Sequence, residues 1–311
     1  MRPTFALLRS ISILLLLCAA AGPALAQDLG GSVLRDYPVA LTLPKGRWEF
    51  SLDYLAVGEV SENMADAKGL RLLIDYGLQS RTTLMSSFAY QDLDFESDKL
   101  TVLSADLLLH RNLIQNSEGW KPKLAISAGA RFNTTSGGDS LTMDTMAGGI
   151  SERTTVSDLQ DITPYARLTA GEIWGWLFPN LFLEYGYSDI RAKAESSSAG
   201  SSQDLSRNEN YIEVGLNLLI KFPYKALLHL EYDYLHFYRG DALDQVDDNQ
   251  IIKADFSFHF TPSLALTLGA CYQTHALNGQ IPFLYQQFSQ ESFKQDYRGV
   301  QVGVTILFGG N

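Results

Sequence analysis

Cysteine is nearly missing from this chain, with Cys18 and Cys271 the only two in 311 residues. Cys18 sits in an apolar N-terminal stretch and Cys271 far from it, so no disulfide framework holds the fold. Charged residues are also scarce, at 19%, where soluble domains carry about 25%. Bases are scarcer than acids, 24 against 35, for a net charge of −11. That balance excludes a nucleic-acid binder, which needs a basic face to meet phosphates. After residue 27 no apolar run approaches the roughly 20 residues of a spanning helix, so a helical membrane bundle is excluded as well. Glycine-rich phosphate loops and nucleotide fingerprints are absent, and no motif requires a cofactor or a metal.

The N-terminus carries an address. Arg2 and Arg9 precede the apolar core 11–21, and Ala24-Leu25-Ala26 supplies a small-x-small cleavage signal before Gln27. Residues 1–26 therefore read as a signal peptide, and removing its two arginines takes the mature net charge to −13. Leu17 before Cys18 is not the small residue that lipoprotein processing uses. An exported chain without a spanning helix is periplasmic, secreted or a membrane barrel.

Periodicity selects the barrel. Trp48, Phe50, Leu52 and Tyr54 alternate with Arg47, Glu49, Ser51 and Asp53. Leu70, Leu72, Ile74 and Tyr76 alternate with Arg71 and Asp75 in the same way. Successive strand side chains point to opposite faces, so each segment has one apolar and one polar face. The pattern recurs at 45–58, 68–79, 82–92, 99–112, 122–134, 162–173, 180–191, 209–221, 224–238, 250–261, 263–276 and 296–308. Twelve such segments predict an all-β fold, a transmembrane up-and-down antiparallel β-barrel over 44–311, closed by the last strand on the first. Residues 27–43 show no strand pattern and are expected to hang in the periplasm or enter the lumen.

Loop lengths orient the barrel. Long connections near 59–67, 93–98, 135–161, 192–208, 239–249 and 277–295 alternate with short ones, as outer loops and periplasmic turns do. Trp48, Trp120, Trp174 and Trp176 fall on the short-turn side, while Tyr54, Tyr90, Tyr187, Tyr234 and Tyr272 lie toward the long loops. Rings with one polar edge favour the two membrane interfaces. The partners implied are outer-membrane lipid and lipopolysaccharide, with barrel-assembly machinery during insertion.

Parity assigns the lumen. Arg47, Glu49, Asp53, Arg71, Asp75, Asp106, Lys123, Arg131, Arg167, Glu184, Glu213, Glu231, Asp233, Lys253 and Asp255 face inward, nine acids against six bases. Such an interior is either a water-filled conduit of slight cation preference or a ladder of charges that pair across a closed barrel. His229 and His259 join the densest cluster, and pairing across the 239–249 loop is expected to bring these two rings together. A hydrated salt-bridge ladder accounts for the cluster better than a metal site does, since spacing of two along strands is simply the pleat. Acid groups recur in the outer loops, at Asp92, Asp94, Glu96 and Asp98 and at Asp241, Asp244, Asp247 and Asp248. These suit solvation or divalent cations shared with lipopolysaccharide.

The opening Pro44-Lys45-Gly46-Arg47-Trp48-Glu49-Phe50 and the turn Tyr76-Gly77-Leu78-Gln79-Ser80-Arg81 resemble the outer-membrane family associated with the MetA pathway of phenol degradation. Gln79 and Ser80 stand where that family commonly has Thr and Asp. The resemblance covers the first two hairpins and implies a transporter or channel for small organic solutes, with no binding residues to carry over. A closed structural or surface-binding barrel and a lipid hydrolase are the competing classes. No His-x-Ser stretch like that of outer-membrane phospholipases occurs.

Overall fold

A computed structural model describes residues 35, 37–59, 66–94, 99–114, 123–136, 139–147, 150–196, 202–223, 225–239, 247–274 and 296–309. The leader, Glu96, Asp98, Trp120, Lys121, Asp241 and Asp244 lie outside them. The strands are β1 (Arg47–Glu59), β2 (Asp66–Gln79), β3 (Thr82–Asp94), β4 (Lys99–Ile114), β5 (Lys123–Thr135), β6 (Ser140–Ala147) and β7 (Ile150–Gly171). They continue as β8 (Leu177–Ser196), β9 (Ser202–Phe222), β10 (Ala226–Tyr238), β11 (Asp248–Thr261), β12 (Leu264–Gln273) and β13 (Tyr297–Gly309). Neighbours in sequence pair antiparallel, β5 pairs with β7, and β13 returns to β1 from Arg47↔Gly309 to Glu59↔Tyr297. Twelve strands thus close a cylinder, and β6 stands outside the ring as a hairpin on the outer part of β7.

The register fixes the geometry of the cylinder. From Tyr54 the pairing runs one way through Leu70, Tyr90, Leu103, Thr134 and Gln160 to Arg191. The other way it runs through Val302, Leu268, Phe256, Leu228 and Ile220 to Leu177. The two arrivals on β8 lie 14 residues apart. At about 3.3 Å per residue and about 4.8 Å between strands, that shear tilts the strands by about 40°.

The faces divide as the alternation demands. Leu52, Leu72, Leu107, Leu181, Leu268 and Val300 are exposed on the outer wall, where lipid rather than protein covers them. Trp48 packs on Tyr76 with ring centroids 4.2 Å apart, and Phe50 on Phe308 at 5.1 Å, an aromatic patch at the short-turn end where first and last strands meet. Closure leaves no edge strand within the ring, so each of its twelve strands has a neighbour on both sides.

Two regions read as loops are strand. β6 and the first part of β7 occupy 135–161, and β8 and β9 run well into 192–208. These stretches are rich in Ser and Thr, which blur the apolar alternation yet still suit a pleated sheet. β7 carries a bulge between Ser157 and Gln160, with Asp158 at φ 51°.

Candidate functional site: the lumen and its inner plug

The structure arranges the charged residues of inward parity in layers. Glu49, Asp53, Asp75, Glu184, His229, Glu231, Asp233 and Asp255 are buried, while Arg71, Asp106, Arg131, Arg167, Glu213, Lys253 and His259 are partly so. Arg47 lies at the inner rim, opposite Gly309. The densest charge forms a middle belt. Arg71 Nη2 lies 3.0 Å from Asp53 Oδ2, and Arg167 Nη2 lies 2.6 Å from Glu184 Oε2. Arg131 stands 3.7 Å from Asp106 and 3.8 Å from Glu184. Lys253 pairs with Glu231 and stands 3.9 Å from Asp233.

These charges are unevenly placed around the ring. On β2, β4, β5 and β7 the belt holds Arg71, Arg131 and Arg167 against Asp75 and Asp106. On β8–β11 it holds Glu184, Glu213, Glu231, Asp233 and Asp255 against Lys253 alone. A lumen with one basic and one acidic wall carries a transverse field. Above the belt the inward positions are apolar at Leu55, Val57, Leu235, Phe237, Ile251 and Tyr297 and polar at others such as Asn133, Asp161 and Glu209.

The N-terminal segment fills the lumen at the short-turn end. Arg35 and Tyr37 are buried, as are Val39, Ala40 and Leu43. Arg35 donates from Nη2 to both oxygens of Asp53 at 2.7 and 2.6 Å, and from Nη1 to Thr305 and Thr267 at 3.1 and 3.3 Å. Its backbone N–H donates to Glu49 at 2.6 Å. Tyr37 stacks on His229, Ala40 N–H donates to Asn180 Oδ1 at 3.0 Å, and Leu43 N–H donates to Thr83 Oγ1 at 2.8 Å. These partners sit on β1, β3, β8, β10, β12 and β13, so the segment crosses the ring from wall to wall. Apolar contacts with Ala125, Phe178, Leu219 and Leu227 pack the segment against the wall. Gly46, at φ 77°, turns the chain from this plug into β1.

A cavity of about 310 Å³ lies above the plug, with Tyr37 and Pro38 in its lining. Its walls draw on the belt through Arg71, Asp106, Arg131, Glu213 and Lys253, and on the apolar layer through Leu55 and Ile251.

Pairing through the 239–249 region differs from expectation. His229 stands opposite Asp255, while the His259 backbone N–H donates to Lys225 at 2.9 Å, so the two imidazoles are not neighbours. His229 Nε2 instead donates to Asn217 Oδ1, 2.7 Å away, with Glu231 at 3.4 Å and Asp255 at 3.7 Å. Several members of the site escaped the sequence reading. Tyr165 donates to both oxygens of Asp106 at 2.9 Å, Tyr211 donates to Glu184, and Arg239 donates to Glu209 at 2.9 Å. Tyr165 and Tyr211 stand on inward parity, a signal that charge alone does not flag.

A serine and a histidine do meet inside the barrel: Ser127 Oγ lies 2.8 Å from His110 Nδ1. Among the described residues no carboxylate lies within ion-pair reach of that ring, and both side chains are buried.

No family model matches the chain, and no curated protein matches it. Solved structures do. The translocator domain of the autotransporter NalP from Neisseria meningitidis is similar at 13% identity and TM-score 0.52, over 84% of this chain and 88% of that one. The beta domain of the Bordetella autotransporter BrkA is similar at 12% identity and TM-score 0.50, over 84% and 98%. The P. putida toluene transporter TodX is similar at 11% identity and TM-score 0.44, over 86% and 91%. At these identities the likeness is one of architecture, and the architecture is that of outer-membrane β-barrels.

Proposed function

We propose that this protein resides in the outer membrane as a gated conduit for small solutes, with residues 35–43 as its inner door. The observation that carries the reading is the cavity between a charged belt and a plug that is joined to the wall by hydrogen bonds, stacking and apolar contact, with no covalent bond. A barrel whose only task is to stand in lipid has no need of an asymmetric polar interior, because unpaired inner charge is costly. A solute entering from the long-loop side reaches the cavity, is aligned by the transverse field and proceeds only when the door moves. The resemblance of the first two hairpins to the MetA-pathway family supports small organic solutes as the class carried.

The second reading, a closed structural barrel, is favoured by the extent of ion pairing across the belt. One experiment separates the two. The mature protein and a form lacking residues 27–43 are inserted into planar bilayers, with folding checked by heat-modifiable gel mobility. The conduit gives discrete currents that rise sharply on deletion. A folded deletion form that never conducts establishes the closed barrel.

A further inference from the structure

The belt is unbalanced at one place. Arg71, Arg131, Arg167 and Lys253 each have a carboxylate within ion-pair reach. Glu213, on the cavity wall, makes no hydrogen bond and no ion pair among the described residues. Beside it, Asp233 is 1% exposed and its Oδ1 has no hydrogen-bond partner. The two lie together because Asp233 pairs with Gly215, two residues along β9 from Glu213. A Cβ at Gly215 collides with that Asp233 oxygen, so the glycine is what allows the carboxylate its place.

The next layer outward is hydrocarbon here. Leu235 stands opposite Glu213, and Ile251 stands opposite Asp233. Both belong to one buried cluster with Tyr211 and Phe237. Glu213 has no ion-pair partner, and Asp233 has Lys253 at 3.9 Å, a base that Glu231 holds closer. Acids sharing so little counter-charge attract a cation, and apolar side chains beside them reward a hydrocarbon body. At about 310 Å³ the cavity is at the small end of ligand pockets, about 300–1,000 Å³.

We propose that this part of the lumen is a binding subsite for amphipathic organic ammonium ions, with the ammonium on Glu213 at the cavity wall, Asp233 buried behind it, and the hydrocarbon against Leu235 and Ile251. An ammonium brings several N–H donors, enough for both acids at once. A bare metal ion is less well served, since the described residues hold no group of three or more metal-ligating side chains placed to share one. The inference rests on the conduit reading only in taking the lumen as accessible to solute.

The test is calorimetric titration of the full mature protein in detergent with hexylammonium, hexan-1-ol, hexanoate and potassium. Hexylammonium is expected to bind at least about tenfold more tightly than hexan-1-ol, and hexanoate not at all. Glu213→Gln is expected to weaken hexylammonium about tenfold, and Asp233→Asn serves the same purpose if the first variant fails to fold. Leu235→Ala is expected to weaken hexylammonium while leaving methylammonium unchanged. Equal binding of the alcohol, indifference to both acid substitutions, or displacement by equimolar potassium overturns the subsite. Binding is read without flux: a deletion form that conducts beside a protein that binds no ammonium sinks this inference and leaves the conduit intact. Binding by a barrel that never conducts does the reverse.

Discussion

Tyr37 lies face to face on His229, with ring centroids 3.7 Å apart and planes inclined by 21°. One ring belongs to the segment that fills the lumen and the other to its wall, so this stack is part of the latch. Aromatic pairs contribute about 0.5–1.5 kcal/mol beyond their burial. Tyr37→Ala is therefore expected to raise the open fraction of the conduit by about tenfold, a shift of roughly 1.4 kcal/mol. Single-channel recording of the variant measures it, and unchanged open probability counts against the latch.

Arg35→Ala removes the other anchor. Asp53 retains Arg71 at 3.0 Å, so the wall keeps a counter-charge while the plug loses its own. Breaking a buried pair costs about 3–5 kcal/mol, reduced here by that remaining partner. The expected outcome is faster amide hydrogen exchange across residues 37–43 with strand protection unchanged. Gly303→Ala is expected to reproduce it from outside the plug, because a methyl there collides with the Asp53 carboxylate.

Leu181 is 60% exposed on the outer wall, toward the middle of its β8 crossing. Arginine at such a depth costs about 2–4 kcal/mol in a barrel, against about 0–1 near an interface. Leu181→Arg is expected to lower folding stability in lipid vesicles by the larger amount and Tyr238→Arg, at the long-loop end of β10, by the smaller. Urea titration followed by tryptophan emission distinguishes them.

Ion selectivity follows from the acidic wall. The form lacking residues 27–43 is expected to prefer cations modestly, and Lys253→Gln to strengthen that preference by removing the one base that β8–β11 bring to the middle belt. Reversal potentials across a potassium chloride gradient report both, and an anion-selective value for the parent deletion form contradicts the assignment.

The barrel was legible in the sequence because lipid imposes a strict period of two. Each of the twelve expected segments has its strand, with ends shifted by a few residues except on β7–β9, which run well beyond the expected ends. Where Ser and Thr blur the alternation, the signal fades: β6 is made of Ser140, Thr142, Asp144 and Thr145 among apolar residues, a composition that reads as loop. The His229–His259 expectation failed for a different reason. Register across a long connection depends on where pairing begins, here His236↔Asp248, and a shift of four residues separates the two rings. The candidate site was half legible, since parity finds the charged wall but not what fills the space it encloses. Arg35 meets Thr267 and Thr305 across 232 and 270 residues of chain, and no local pattern announces such contacts.

The position of Arg35 also bears on how the molecule is made. Its side chain and backbone bridge β1, β12 and β13, the seam where the last-synthesised strands dock on the first. That set of acceptors does not exist until the circle is complete. The place of Arg35 is thereby tied to closure: a sheet lacking β12 and β13 offers it neither Thr267 nor Thr305.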